Sequence, residues 1–430
     1  MSDTLKTIDY RRRVVDDEID ALVVGGVTAI AIEGAKAVGK SATAAQRATT
    51  TFLLEQPTTR ELVLADPSSI LVKTPVLIDE WQHLPATWDA VRRAVDAGAG
   101  PGQFFLTGSA SAANPGTHSG AGRIVKVRMR PMSLFERGVA VPSVSLVELL
   151  SGKMPTISGT TSVNLALYVN EIVCSGFPAL RILSGRALRA QLHGYIDRVI
   201  DRDFPEIGRA VRNPAALRRW FTAYAAATST SASYDTIRNA ASPGEGQKLT
   251  KLTTQPYRDT LERLYLLDPL PAWLPTHNHF RELASSPKHH LVDPALAVSL
   301  LDLSHEKLIT GVKESVHIPR DGSILGALFE SLVVQSLRTY AQLAEATVGH
   351  FRTHRGDHEV DVIIERADGK IVAFEIKLSA TVEDSDVRHL LWLKEKLGAD
   401  LLDAVIVTTG PHAYRRSDGI AVVPASLIGP

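Results

Sequence analysis

Val27-Thr28-Ala29-Ile30-Ala31-Ile32-Glu33-Gly34-Ala35-Lys36-Ala37-Val38-Gly39-Lys40-Ser41 is the stretch that decides how this chain folds. An apolar run (Val27, Ala29, Ile30, Ala31, Ile32) leads straight into Gly34-x4-Gly39-Lys40-Ser41, and the helix-prone SATAAQRATT follows. A glycine-rich turn between a strand and a helix is the setting in which GxxxxGK[ST] wraps a polyphosphate. Glycines let successive backbone N–H groups turn inward, and the helix N-terminus adds partial positive charge. The spacing predicts a phosphate loop made of Gly34, Ala35, Lys36, Ala37, Val38, Gly39, Lys40 and Ser41. Lys40 would reach the β- and γ-phosphates, and Ser41 would hold Mg²⁺.

Working outward, Pro75-Val76-Leu77-Ile78-Asp79-Glu80 is a second apolar run, and it ends in two acids. Asp79 is expected to hold the Mg²⁺ water shell and Glu80 to polarise an attacking water. Gln103-Phe104-Phe105-Leu106 then runs into Thr107-Gly108-Ser109. Strands expected at 27–33, 61–65, 75–79 and 103–107 alternate with helix-like stretches at 40–54 and 85–97, the rhythm of a parallel sheet covered by helices. Ligands of such sheets sit beyond the carboxyl ends of the strands. Gly34, Asp79 and Thr107 all fall at those ends. Thr107 or Ser109 reads as a sensor of the γ-phosphate or its water, or else as a plain strand-end turn. Ile124-Val125-Lys126-Val127-Arg128-Met129-Arg130 alternates apolar and basic residues, the pattern of a half-exposed edge strand. Arg123, just before it, would neutralise transition-state charge in its own chain or a neighbour's, or be a solvated surface arginine.

The chain has 430 residues, which at about 150 per domain implies two to four domains. Hydrophobic content of 44% and charged content of 22% are those of a soluble globular protein. The single cysteine, Cys174, excludes an internal disulfide and fits a reducing compartment. MSDTLKTIDYRRR holds no apolar leader core, and nowhere do about 18 apolar residues run together, so a cytoplasmic protein without a membrane partner is expected. Net charge is zero, from 47 basic and 47 acidic residues, which gives no global drive toward nucleic acid. By segment it is +1 over 1–140, +4 over 141–320 and −5 over 321–430.

EGAKAVGKS, VLIDEW and FFLTGSA, in this order and spacing, resemble the AAA+-type predicted ATPases of bacteria and archaea that carry a C-terminal domain of unknown function. Tyr10 and Arg13 ahead of the first strand extend the match. So do Gly122-Arg123, Pro131, Ser133 and Glu136, IDRVIDRDFPEIG, SPKHHLVDPAL, GALFESLVV, HEVDVII and FEIK. Lys36 stands where the family more often has arginine, and either cation suits a phosphate loop. The resemblance implies ATP binding and hydrolysis with Mg²⁺. The expected fold class is α/β. An AAA+-like P-loop domain at 1–140 would be followed by a helical and winged-helix-like region at 141–320 and a restriction-endonuclease-like domain at 321–430.

Leu192, Tyr195, Ile196, Val199 and Ile200 give the middle region one apolar helix face, opposite Arg198, Asp201 and Arg202. Tyr234–Arg238, a break at Pro243-Gly244-Glu245-Gly246 and a helix from about Thr254 to Leu266 read as helix, turn, helix, followed by an extended PLPAWLP. Thr254, Gln255, Tyr257 and Arg258 would head the second helix. There they would meet DNA bases, or the element would only pack domains together. In the last third, Glu330 is the lone charge in an apolar run and needs a partner, a metal or an exposed face. Asp361 and Glu375 fall on two strands of an apparent hairpin, and Lys377 shares a face with Glu375. Glu330, Asp361, Glu375 and Lys377 in this order resemble the PD-(D/E)xK nuclease core, in which the acids bind Mg²⁺ and the lysine activates water. The other reading is a buried salt-bridge network. DNA, RNA or a protein are the partners these features suggest, and oligomeric state stays open. His277, His279, His289 and His290 are expected on loops or the surface, and Cys174 in the core.

Overall fold

Ala29–Glu33 forms β1, a strand buried along its whole length, in a computed structural model that describes residues 10–109, 120–206, 213–242, 249–275, 285–310, 322–353 and 356–430. A strand covered on both faces has no polar side to alternate with, which is why the run reads as nearly continuous apolar sequence. Beside it stand β2 (Thr50–Leu53), β3 (Val76–Asp79), β4 (Phe104–Gly108) and β5 (Ile124–Arg128). All pairs are parallel, in the order β2-β3-β4-β1-β5. The helices of this unit are α1 (Val14–Val24), α2 (Lys40–Ala45), α3 (Pro57–Ala65) and α4 (Ala86–Asp96). One apolar cluster joins Ala29, Ala31, Val76, Ile78, Phe104 and Leu106 to Trp81, Trp88 and Val91.

The strand expected at 61–65 is instead the second half of α3, and the missing strand is β2, inside the stretch expected to be helical. Two local causes explain the exchange. Thr49-Thr50-Thr51 puts three β-branched residues in a row and ends α2 early. Pro57 opens α3 at a position where its missing N–H costs nothing. Leu62 and Leu64 are each 60% exposed, so the apolar look of 61–65 reflects no burial beyond Val63. The edge position expected for IVKVRMR is the one β5 holds.

The chain forms two compact units, one built on residues up to Pro131 with Glu262–Tyr265, the other on Met132–Leu261 with Leu266–Pro430. The second unit opens with α5 (Leu134–Arg137), β6 (Val144–Ser145), α6 (Leu146–Leu150) and β7 (Gly159–Thr160). Helices α7 (Leu165–Val173), α8 (Gly185–Arg198), α9 (Phe204–Glu206), α10 (Pro214–Ala226), α11 (Tyr234–Ala240) and α12 (Lys251–Arg263) follow. The Pro-x-Ser-x-x-Glu landmark is a capping box: Glu136 Oε2 accepts from Ser133 N at 2.7 Å, and Ser133 Oγ caps Glu136 N. Next come α13 (Pro294–Leu300), α14 (His305–Thr310) and the 22-residue α15 (Gly322–Leu343). The unit closes with β8 (Thr347–Arg352), β9 (Glu359–Glu365), β10 (Ile371–Ile376), α16 (Asp384–Leu397), β11 (Leu401–Thr408), β12 (His412–Arg415), β13 (Ala421–Pro424) and β14 (Ile428–Gly429).

Seven of its strands form one sheet in the order β7-β12-β13-β11-β10-β9-β8, while β14 pairs with β6. β9 and β10 are the expected antiparallel hairpin, and β10 and β11 run parallel. The apolar face of the 192–200 stretch is where it was expected, with Leu192, Ile196, Val199 and Ile200 buried. α12 starts at Lys251, three residues before the expected position, and runs through Pro256. The extended 267–272 stretch bridges to Leu291, Lys288 and His350.

His289 and His290 are not on the surface. They are 1% and 2% exposed, because this bridging carries them into the interior. His289 lies edge-on to Tyr224 and Tyr234, each at 5.0 Å, and burial pushes both imidazoles below their ordinary range. His277 and His279, and the break at Pro243–Gly246, lie outside the described residues. Cys174 is half-buried at the carboxyl end of α7 rather than in the core. Among the described residues no helix is long and apolar enough to cross a membrane.

Candidate functional site

β1 ends at Glu33, and the chain turns at once into the predicted loop. Gly34 is pressed against the strand next door: a Cβ there would lie 2.2 Å from the carbonyl oxygen of Met129. Gly39 has φ +105°, a left-handed conformation that glycine adopts without steric cost, and it serves as N-cap of α2. Lys40, 4% exposed, folds back over the loop, and its Nζ donates to Gly34 O and Ala35 O at 2.9 Å each. Burial pushes the Lys40 ammonium down to about 8, against the pull of Glu80 and Asp79. The loop is braced from α1, where the buried Arg13 guanidinium donates to Val38 O at 3.0 Å and to Arg130 O at 2.9 Å. Tyr10 Oη donates to Asp16 at 2.6 Å and lies 2.9 Å from Thr43 Oγ1. Tyr10 and Arg13, noted in the sequence only as landmarks, are supports for the loop and for α2.

The acids arrive from β3. Ser41 Oγ donates to Asp79 Oδ1 at 2.5 Å, and Thr107 Oγ1, from β4, donates to the same oxygen at 2.5 Å. Burial raises the Asp79 carboxyl, and the two hydroxyls offset this only in part. Thr107 is fully buried and also accepts from Glu80 N at 3.3 Å, so it braces both acids from below. Glu80 adopts φ +53°, which turns its side chain out of the strand direction. Its Oε2 accepts from Ser109 Oγ at 2.9 Å and from Gln82 Nε2. The role of Gln82 was not read from the sequence, and a glutamine two residues past an acid carries no signal of it. Gly34–Ser41, Asp79, Glu80, Thr107 and Ser109 therefore meet at the carboxyl ends of three adjacent strands, β3, β4 and β1.

Arg123 does not join them. Ile124 pairs with Ala29, so Arg123 precedes the amino end of β5, at the opposite end of the strands from Gly34. There it pairs with Asp96 at 2.8 Å and donates to Ala121 O, with its side chain 45% exposed.

The C-terminal set is brought together as expected, with an addition. Glu330 comes from α15, Asp361 from β9 and Glu375 from β10, and Lys377 Nζ donates to Glu375 Oε1 at 2.9 Å. The addition is Lys288, 2% exposed, whose Nζ lies 2.9 Å from Glu330 Oε1, 2.8 Å from Asp361 Oδ1 and 3.3 Å from Glu359 Oε1. Burial alone would lower this ammonium. Asp361, Glu330 and Glu359 outweigh it and hold the group well above the usual lysine range. Glu330 and Glu375 are each pushed up to about 8 by burial and by the charge of Asp361, whereas Asp361 is held below its usual value because Lys288 and the Ile376 N–H outweigh burial. The isolation of Glu330 in an apolar run announced a partner. SPKHHLVDPAL gave no sign that its lysine was that partner.

Comparison with known proteins gives three family matches along the chain. Residues 27–137 match the model described as an AAA domain, residues 165–307 the domain of unknown function DUF8612, and residues 325–428 the domain of unknown function DUF4143. Uncharacterized proteins of Mycobacterium tuberculosis and Mycobacterium bovis are each 27% identical over 371 residues, 85% of this chain and 72% of theirs. A solved Walker-type ATPase of Pyrococcus abyssi aligns with 69% of this chain and 99% of its own at 14% identity and TM-score 0.36, a likeness too slight to bear on function. Residues 27–137 form an AAA+-like P-loop ATPase domain, and the region that follows matches only families without an assigned function.

Proposed function

We propose that this protein binds Mg²⁺-ATP in the crevice at the ends of β1, β3 and β4, and hydrolyses it. One observation carries the reading: Ser41 Oγ and Asp79 Oδ1 lie 2.5 Å apart beside a loop that buries Lys40. These hard oxygen donors fit Mg²⁺, and the loop amides with Lys40 fit the phosphates. When bound, the ion neutralises charge on the phosphate oxygens. The chain supplies the rest. Lys40 exchanges two backbone carbonyls of its own loop for phosphate oxygens. Thr107 keeps Asp79 in place. Glu80, steered by Ser109 and Gln82, accepts hydrogen-bond donation from a water and so orients it for in-line attack.

The finer proposal is that the nucleotide state governs what the C-terminal unit presents to DNA, RNA or a protein partner. It is supported by chain order: Glu262–Tyr265, at the end of α12, folds with the nucleotide unit, where Tyr265 Oη donates to Glu33 beside the loop at 2.5 Å. The test is turnover and binding measured together. Lys40→Ala should lose Mg²⁺-ATP binding, and Glu80→Gln should bind normally but turn over at least about 100-fold more slowly. A Glu80→Gln protein hydrolysing ATP at the parent's rate would remove the catalytic assignment. Turnover with and without DNA then shows whether nucleic acid is sensed.

A further inference from the structure

The carboxylates of the C-terminal unit have the order and placement of a divalent-metal site, and a metal does not fit them as they stand. Lys288 Nζ donates to two acids, Glu330 at 2.9 Å and Asp361 at 2.8 Å, and forms a looser ion pair with a third, Glu359, at 3.3 Å. The second oxygen of Asp361 accepts from Ile376 N at 2.8 Å. Both oxygens of the residue that would bridge the metal are therefore already engaged. Glu375 Oε1 is taken by Lys377 at 2.9 Å. Glu375 Oε2 is left buried without a hydrogen-bond partner, in a residue only 5% exposed. No three His, Cys, Asp or Glu side chains among the described residues stand as metal ligands.

The backbone of Lys288 is held in place. Its backbone N donates to Leu270 O at 2.9 Å, and its carbonyl accepts from Leu270 N at 2.8 Å, so both sides of the residue are tied into the bridge that crosses the interior. A divalent ion takes oxygen ligands at about 2.0–2.6 Å, so it would have to occupy nearly the same point as the ammonium. Two cations that close repel too strongly for both to remain.

We propose that Lys288 is the resident cation of this cluster. It fills the position a divalent metal would need between Glu330 and Asp361, and it ties α15 to β9 as an internal counter-ion. In the wild-type chain the cluster takes up no divalent cation and supports no metal-dependent phosphodiester cleavage. Removing the ammonium turns it into a divalent-cation site. This goes beyond the ATPase reading and does not depend on it.

The experiment uses the full chain without nucleotide, titrated with Mn²⁺, with bound ion read as loss of the free-ion spin-resonance signal. Wild type and Asp361→Asn should take up the same Mn²⁺. Lys288→Ala should gain a stoichiometric site, and Lys288→Ala with Asp361→Asn should lose it again. Uptake by wild type that Asp361→Asn abolishes would overturn the proposal, as would a folded Lys288→Ala protein with no gain. Plasmid incubated with wild type and Mn²⁺ should stay intact, and nicking that Asp361→Asn removes would mean a working metal site and overturn the proposal too. If Lys288→Ala fails to fold, Lys288→Met combined with Glu330→Gln removes one buried acid with the ammonium and leaves Asp361 and Glu375 to bind. The wild-type arms decide the question whatever the variants do.

Discussion

Replacing Gly34 by alanine tests whether the loop is held as described, because the added methyl has nowhere to go. Its carbon would lie 2.2 Å from Met129 O, 3.2 Å from Met129 C and 3.4 Å from Val38 Cγ2. Relief to ordinary contact requires a shift of about 1 Å. The Met129 carbonyl cannot simply retreat, since Met129 N donates to Glu33 O at 2.7 Å and extends the β1–β5 ladder beyond the Glu33–Arg128 pair. Overpacking of this kind costs about 1–3 kcal/mol, and opening one ladder bond adds about 1 kcal/mol. Where the sheet gives way, the sum of about 2–4 kcal/mol appears as lost stability. Where the loop gives way, it disfavours the phosphate-binding conformation and weakens Mg²⁺-ATP binding roughly 30- to 1,000-fold. Calorimetric titration with Mg²⁺-ATP, paired with urea unfolding of the same preparation, separates the two. A Gly34→Ala protein that binds as tightly as wild type with an unchanged urea midpoint would refute the close approach of the loop to Met129.

Lys40 makes nucleotide binding a proton-uptake event. With the free-protein ammonium lowered by burial to about 8, about half the chains lack this proton at pH 8, and the phosphates restore it. Calorimetry in two buffers of different ionisation enthalpy should show uptake of about half a proton at pH 8, fading toward pH 6.5, and a heat independent of buffer would contradict this. Arg13→Ala removes a buried guanidinium with bonds of 3.0 and 2.9 Å to two separate carbonyls. It should cost about 3 kcal/mol in urea unfolding and weaken nucleotide binding, and Arg13→Lys should rescue little because one ammonium lacks the guanidinium's fork. Ser109→Ala deletes the 2.9 Å bond to Glu80, so kcat should fall several-fold with KM unchanged. A rise in KM with kcat unchanged would assign Ser109 to binding instead.

What could be read in advance depended on how local the physical requirement is. The phosphate loop needs particular residues at fixed spacing, so Gly34 to Ser41 could be placed directly. The acids of β3 needed only that a strand end beside the loop. β2 follows from the β-branched run Thr49-Thr50-Thr51 at the end of a helix-prone stretch, and pairing with β3 holds it as a strand. Of the readings open for Arg123, the structure shows a half-exposed arginine paired with Asp96. Its Gly-rich context is local, but which end of the sheet it occupies is set by strand register, Ile124 opposite Ala29, and register is not a property of one segment. Lys288 lies 42 residues before Glu330 and 73 before Asp361, and a lysine ahead of two histidines in the sequence has no mark of burial.

The two acid clusters of this chain differ in their partners, and the partners decide their chemistry. Asp79 and Glu80 receive hydroxyls from Ser41, Thr107 and Ser109 and an amide from Gln82. Neutral donors orient a carboxylate without cancelling its charge, so burial still leaves the Asp79 carboxyl raised. Such a cluster gains from an arriving cation. Asp361 receives an ammonium that the fold itself supplies, and the carboxyl sits below its usual value although burial by itself would raise it. A second cation binding Glu330 Oε1 and Asp361 Oδ1 would have to expel the first. Both places gather carboxylates, and on the two proposals made above neutral or cationic partners separate a site that recruits a metal from one that excludes it. Exchanging Lys288 for a neutral residue is therefore the change that should make the second cluster behave like the first.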